Sequence, residues 1–288
     1  MKHILVIPVF NDWKSLNKLI HKLDIHLKSN IKINNEILII DDNSTQKLKL
    51  NLKKLNIIKS IKIISLKKNY GSQKAIAIGL NYLKKIKGKF FVTVMDGDGE
   101  DSPAQIEKML LTSINNPSYV ITSNRKKREE TFIIILLYKL HLLITFLFTF
   151  KWISFGNFST FNKKNLNNLL SNNSSWYAHS SSVLKNCKIK RLYSKREKRY
   201  YDKSKLGLFS LIEHSLRVNT VFYKNIFFSS IIYLFLINRY IQDELSYLLI
   251  LAILIFNFSI FWIKSNHYIN NLSKVHNFIK KIKLIKTL

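Results

Sequence analysis

Residues 90–103 read Phe-Phe-Val-Thr-Val-Met-Asp-Gly-Asp-Gly-Glu-Asp-Ser-Pro, and they set Asp96, Asp98, Glu100 and Asp101 within six positions. Unpaired charge is costly to bury, so this cluster cannot belong to a core. The apolar run before it reads as a buried strand, and Pro103 stops that strand from continuing. Carboxylates delivered to the C-terminal mouth of a parallel sheet stand where α/β proteins bind ligands. There, a pair of them would hold a divalent cation against a phosphorylated substrate.

Three earlier strand ends carry polar residues of the same kind. Pro8-Val9-Phe10-Asn11-Asp12 closes the first apolar run and opens a helix; alone it would be a proline-marked turn with an Asp cap. Asp41-Asp42-Asn43-Ser44 closes the second, where a carboxylate can meet a nucleotide's base or ribose, although the string is also good turn sequence. The third is followed by Asn69-Tyr70-Gly71-Ser72-Gln73-Lys74-Ala75-Ile76-Ala77-Ile78-Gly79-Leu80. Here Gly71 allows a tight turn, Ser72 can cap, and the small Ala75 and Gly79 let a helix approach the sheet. Each string has an ordinary turn or cap explanation. Their order and their common place at strand ends do not.

The elements that must position these residues alternate. Strands are expected at His3–Val9, Glu36–Ile40, Lys62–Ser65, Phe90–Met95 and Ser118–Thr122, with helices at Asp12–Leu27, Ser72–Lys85 and Pro103–Ser113. That alternation predicts an α/β fold whose mostly parallel sheet is covered by helices on both faces.

With these four strings in place, the chain resembles glycosyltransferase family 2, and within it the polyprenyl-phosphate (dolichyl-phosphate-like) sugar synthases. The resemblance implies the family's nucleotide-sugar-binding, GT-A-like sheet. It implies that Pro8, Phe10, Asp12, Asp42, Asn69, Gly71, Gln73, Asp96 and Gly97 line the donor pocket. It makes Asp96 and Asp98 the acidic pair that binds a metal–diphosphate, Mg2+ or Mn2+, with Glu100 where a Gln ligand often stands. Downstream, Arg125 and Arg128 match an RxxR element. Arg196, Arg199, Ser204 and Lys205 match most of an RxxRxxGxSKY element, although Asp202 replaces its Gly. These groups would clamp a lipid phosphate or the sugar diphosphate. Asn157, in Phe155-Gly156-Asn157-Phe158-Ser159, stands where the branch often has an Asp. A phosphate acceptor needs no strong base, whereas a hydroxyl acceptor would need one from elsewhere, with Asp101 a candidate. The implied reaction is inverting transfer from a UDP- or GDP-sugar to a polyprenyl phosphate, or alternatively to a hydroxyl of a lipid-linked or cell-envelope glycan. The resemblance leaves room for a homo-oligomer.

Beyond residue 130 the chain turns apolar. Leu245–Ile263 carries no charge over 19 residues, about 28 Å of helix and enough to cross a hydrocarbon core. Together with residues 220–237 it reads as a transmembrane hairpin with both ends cytoplasmic, by the bias of lysines toward the tail. If Phe132–Phe150 also crossed, the basic stretches around Arg125–Arg128 and Lys185–Lys205 would fall on opposite sides, so it is expected to lie in the interface or to pack under the catalytic domain. Four segments follow: a cytosolic donor-binding domain over 1–131, an interfacial and acceptor-side segment over 132–219, the hairpin over 220–263, and a basic cytoplasmic tail over 264–288. The expected setting is an integral membrane protein, of the inner membrane if bacterial, with its catalytic domain in the cytoplasm. Lys and Arg number 47 against 17 Asp and Glu, a net charge of +30. That excess fits anionic lipid or a phosphorylated substrate, and part of it reads as Lys- and Asn-rich compositional drift. Acidic strand ends repel a polyanion, which argues against nucleic acid. One cysteine, Cys187, excludes an internal disulfide framework.

Overall fold

A computed structural model describes residues 1–27, 33–52, 55–125, 132–195, 197–201, 207–241 and 243–286. The chain runs β1 (Lys2–Val9), α1 (Trp13–His26), β2 (Asn34–Asp41), β3 (Ile58–Leu66), α2 (Ser72–Lys84), β4 (Phe90–Val94), α3 (Ala104–Asn115) and β5 (Tyr119–Arg125). It continues through α4 (Phe132–Thr149), β6 (Phe155–Asn162), α5 (Lys163–Leu169), α6 (His179–Asn186) and β7 (Lys188–Ser194). The last elements are α7 (Leu208–Thr220), α8 (Tyr223–Tyr240), α9 (Glu244–Asn266) and β8 (Ile279–Lys286). The strands form one sheet in the order β7-β5-β6-β4-β1-β2-β3-β8. The centre is parallel, β4-β1-β2-β3, whereas β6 and β8 join antiparallel.

Side chains on a strand alternate between faces, and β1 is apolar on both. Leu5 and Ile7 pack with Leu16, Leu19, Ile20 and Leu23 of α1 and with Ile106 and Met109 of α3. Ile4 and Val6 pack with Ala75, Ile76, Ile78 and Leu80 of α2. The expected close approach of α2 is real: a Cβ on Gly79 would lie 2.9 Å from Ile40.

Two features depart from the sequence expectation. The segment read as a basic tail ends in β8, whose residues pair with β3 from Ser60 to Leu66. Its lysines are interleaved with Ile279, Ile282, Leu284 and Ile285, β-prone apolar residues that suit an edge strand. Second, the helices long and apolar enough to span a membrane, among the described residues, are α4 and α9. Helix α8 qualifies only jointly with α7, from which it bends by 89°; Lys224, Asn225, Asn238 and Arg239 in its first and last turns leave a shorter apolar stretch between them.

The helices after β7 are tied to the α/β domain at both ends. Val221 and Phe222, between α7 and α8, are buried with Ile153 and Ala178, and Lys185 Nζ donates to Val221 O at 2.9 Å. At the end of α9, His267 meets Lys74 at 2.9 Å and Tyr177 donates to Lys264 O at 3.3 Å. Asn257 of α9 donates to Ser230 of α8 at 2.7 Å. Helix α4 runs beside α7, with His141 and Ser215 2.6 Å apart, and reaches α8 where Ser229 donates to Phe148 O at 3.0 Å.

Beneath the site, His3 is fully buried between Asn35 (2.9 Å) and Thr93 (2.8 Å). Burial pushes its pKa down to about 4 from 6.5, so the folded state holds the neutral ring. Its contribution to stability is complete above pH 6.5 and is lost as pH falls toward 4, where only the unfolded chain takes up the proton. Chemical unfolding of the solubilised chain should lose about 3 kcal/mol on this account across that window. A His3→Gln variant should show a correspondingly shallower pH slope; equal slopes in the two proteins would contradict it.

Candidate active site at the sheet mouth

The four strings converge at the C-terminal ends of β1, β2, β3 and β4. Asn11 joins the first two: with φ +51, a left-handed value that Asn tolerates, it accepts from the amides of Thr45 (2.9 Å) and Gln46 (3.1 Å). Its own amide donates to Ser44 Oγ at 3.0 Å. Asp42 joins the second to the third. It is 2% exposed, and its two oxygens accept from the amides of Tyr70 (2.8 Å) and Gly71 (2.7 Å). Burial raises its pKa, and those two N–H donors pull the other way. Asp42 therefore shapes the β3–α2 turn, in which Gly71 has φ +87 and its amide also donates to Asn69 Oδ1 at 3.0 Å.

Beyond β4 the carboxylates of Asp96, Asp98 and Asp101 each have a partner. Asp101 accepts from the Asp96 amide at 3.0 Å, which folds the acidic loop back on itself. Asp98 Oδ1 accepts from the Glu100 amide at 3.0 Å, and its Oδ2 lies 3.3 Å from Arg199. The same guanidinium lies 3.3 Å from Asp12, whose other oxygen caps α1 at the Ser15 amide. Arg199 thus bridges the first and fourth strings. Gly97 fits where it is because a Cβ would press on Pro8 O at 3.2 Å. Pro8 is buried, and Phe10 is exposed.

Asp96 is held from the opposite side by a relay that sequence reasoning missed. Asn157 Nδ2 donates to Asp96 at 3.0 Å, and Gln73 Nε2 donates to Asn157 Oδ1 at 3.0 Å. Gln73 Oε1 in turn accepts from the His179 amide at 2.8 Å. An aspartate at 157 could not donate, so the departure noted in the sequence supplies a hydrogen bond in place of a further charge. His179 is wholly buried, with its pKa pushed down to about 3; its neutral ring meets Ser159 Oγ at 2.8 Å.

Arg128, Arg196, Ser204 and Lys205 lie outside the described residues, and Arg125 is described only as the last residue of β5.

Residues 4–184 match the profile of glycosyl transferase family 2. The chain belongs to this family. Over 125 residues it is 30% identical to a dolichol-phosphate mannosyltransferase of Pyrococcus furiosus, which covers 43% of this chain and 33% of that protein. It is 27% identical over 130 residues to an uncharacterized glycosyltransferase of Synechocystis sp., covering 45% of this chain and 39% of the relative. The match therefore spans well under half the length of these curated relatives. Among solved structures, glucosyl-3-phosphoglycerate synthase of Mycobacterium tuberculosis, in complex with Mn2+, UDP-glucose and phosphoglyceric acid, superposes with a TM-score of 0.51 at 11% identity. That alignment covers 78% of this chain and 79% of the other, and the likeness is one of fold.

The donor set decides what cation the family 2 site suits. No group of three or more His, Cys, Asp or Glu gathers into a metal cage among the described residues; Asp96, Asp98 and Glu100 do not form a preformed triad. Two carboxylates on one loop suit a hard cation that takes its remaining ligands from water and phosphate oxygens, as Mg2+ does. Removing the relay should be felt there: Asn157→Leu takes the Nδ2 donor from Asp96 and the Oδ1 acceptor from Gln73. Mn2+ affinity in the presence of nucleotide, read by calorimetry, should fall about 10- to 100-fold with the fold intact. An unchanged affinity would show that Asn157 does not orient Asp96 for a cation.

Proposed function

We propose that this family 2 protein is a membrane-anchored inverting glycosyltransferase that moves a sugar from a UDP- or GDP-sugar to a polyprenyl phosphate, with Mg2+ or Mn2+ bound at Asp96 and Asp98. The observation that carries this reading is the pair Asp12 and Asp98 held across one arginine at the sheet mouth, beside an Asp96 held by an amide. The nucleotide would lie over the turns closed by Asn11 and Asp42, with its diphosphate toward Asp98 and Arg199.

A bound divalent cation supplies charge neutralisation to the departing diphosphate. The chain's own residues do the rest. Arg199 offers paired N–H donors to phosphate oxygens, and Asn157 fixes the direction of Asp96. An acceptor phosphate oxygen attacks the anomeric carbon in line, the bond from that carbon to the diphosphate oxygen breaks, and the nucleoside diphosphate leaves. The nucleophile is already anionic, so no general base is called for. An amide at 157 agrees with that acceptor chemistry, and so does the likeness to a dolichol-phosphate mannosyltransferase.

Anchoring follows from surface chemistry. Helices α4, α8 and α9 expose large apolar side chains, among them Phe132, Ile133, Phe227, Phe228, Phe235, Leu248, Phe258 and Phe261. Exposed apolar area on this scale is unusual for a protein in water. Both ends of the α8–α9 pair return to the sheet, so the pair would dip into the bilayer and come back, leaving the sheet mouth at the lipid surface on the cytoplasmic side. Helix α4, alongside the bent α7, would lie at the interface.

Purified full-length protein incubated with radiolabelled UDP- and GDP-sugars, polyprenyl phosphate and Mn2+ should place label in the organic phase. Asp98→Asn should abolish the product while leaving the melting temperature unchanged. Label appearing only on a hydroxyl acceptor would refute the phosphate acceptor, and full activity in both Asp96→Asn and Asp98→Asn would refute the site.

A further inference from the structure

The segment Glu197–Tyr201, just past β7, lies along the acidic loop as a short strap. The Glu197 amide donates to Glu100 O at 3.0 Å, and the Tyr200 amide donates to Asp98 O at 3.1 Å. Between those two bonds, Arg199 reaches Asp12 and Asp98. The strap's near end is held by Glu197, which accepts from Ser102 Oγ at 2.7 Å and pairs with Lys22 at 3.4 Å.

Its far end is held by an aromatic ring. Tyr200 lies against Gly99, where a Cβ would come within 2.4 Å of the ring and where φ is +89. Only glycine meets both conditions without strain. On the α1 side of the strap stand lysines spaced at i and i+4, which share one helix face. Lys18 and Lys22 stand 5.0 and 4.6 Å from the Tyr200 ring centre, and Lys14 stands 4.1 Å from that of Tyr201. These are cation–π distances. The same helix begins at Asp12, so one rigid element carries both a carboxylate that Arg199 binds and the lysines that face the ring beside Arg199.

We propose that Tyr200 is a positioning residue: seated on Gly99 and flanked by the Lys18–Lys22 edge of α1, it fixes the strap on the acidic loop and so sets Arg199 for a nucleoside diphosphate. The proposal rests on the donor-site reading above only for the identity of that ligand. Arginine suits the task because its planar fork of donors can serve two carboxylates or the oxygens of a diphosphate, but it does so only from a fixed backbone. Tyr200 touches no reacting atom; it acts through Arg199.

The test compares full-length wild type, Tyr200→Phe, Tyr200→Ala and Gly99→Ala. Hydrogen exchange is read in peptides covering Glu197–Tyr201, and calorimetry gives the affinity for UDP and GDP with Mn2+. Tyr200→Phe keeps the ring and should match wild type in both readouts. Tyr200→Ala and Gly99→Ala, which remove the ring or its seat, should lose exchange protection and bind nucleoside diphosphate at least about tenfold more weakly, at a temperature where circular dichroism shows both variants folded. Protection retained in Tyr200→Ala overturns the proposal, and so does lost protection with unchanged affinity. Should wild type bind neither nucleotide, the donor-site reading fails on its own account. The exchange arm then decides the strap alone: lost protection in Tyr200→Ala upholds Tyr200 as its anchor, and retained protection refutes it.

Discussion

Negative charge crowded at one end of a parallel sheet is the constraint on which the rest of this structure depends. Asp12, Asp96, Asp98 and Asp101 arrive there from two strand ends, and none can be left half-buried without a partner. The chain answers the four with three groups. A guanidinium spans Asp12 and Asp98, a side-chain amide donates to Asp96, and the Asp96 amide is itself taken up by Asp101. The guanidinium and the side-chain amide come from the segment after β7 and from β6, which explains why elements so late in sequence are folded against a site whose acids lie before residue 102. A cation or a polar substrate entering the mouth would meet carboxylates already oriented, with little reorganisation left to be done during reaction.

The second dependency runs outward. Strand β3 would leave an open edge, and open edges invite unwanted pairing. Strand β8 covers it after the chain has passed through α8 and α9. The apolar helices are therefore stitched into the catalytic sheet at entry, through Val221 and Phe222, and at exit, through His267 and β8. If these helices anchor the protein as proposed, fastening at both ends would hold the sheet mouth at a defined height and tilt above the surface they occupy, which a single flexible tether would not do.

Much of this was legible before any coordinates. Strands β1 to β5 and helices α1 to α3 announced themselves because apolar runs end abruptly in Pro, Asp, Asn or Gly, and those endings are the site. What stayed hidden depends on contacts remote in sequence. Strand β6, Phe-Gly-Asn-Phe-Ser-Thr-Phe-Asn, is too polar and glycine-broken to read as a central strand, so the pairing of Asn157 with Asp96 could not be foreseen. Strand β8 was masked by its lysines. The seat of Tyr200 on Gly99 joins residues about a hundred positions apart, and neither has a local pattern that points to the other. The second role of Asp42 was equally hidden: beyond a carboxylate at a strand end, its two oxygens fasten the next turn.

The central claim is that the acids after β4 receive the donor's diphosphate through a divalent cation, with Arg199 beside it. Crystals of the full-length protein grown with Mn2+ and UDP, measured for manganese anomalous scattering, test it most directly. The account predicts one strong peak at coordination distance from Asp96 or Asp98, bridged to the UDP phosphates, with Arg199 within hydrogen-bond reach of a phosphate oxygen. Ordered UDP at the sheet mouth with no manganese at these carboxylates, or manganese bound elsewhere, would contradict it.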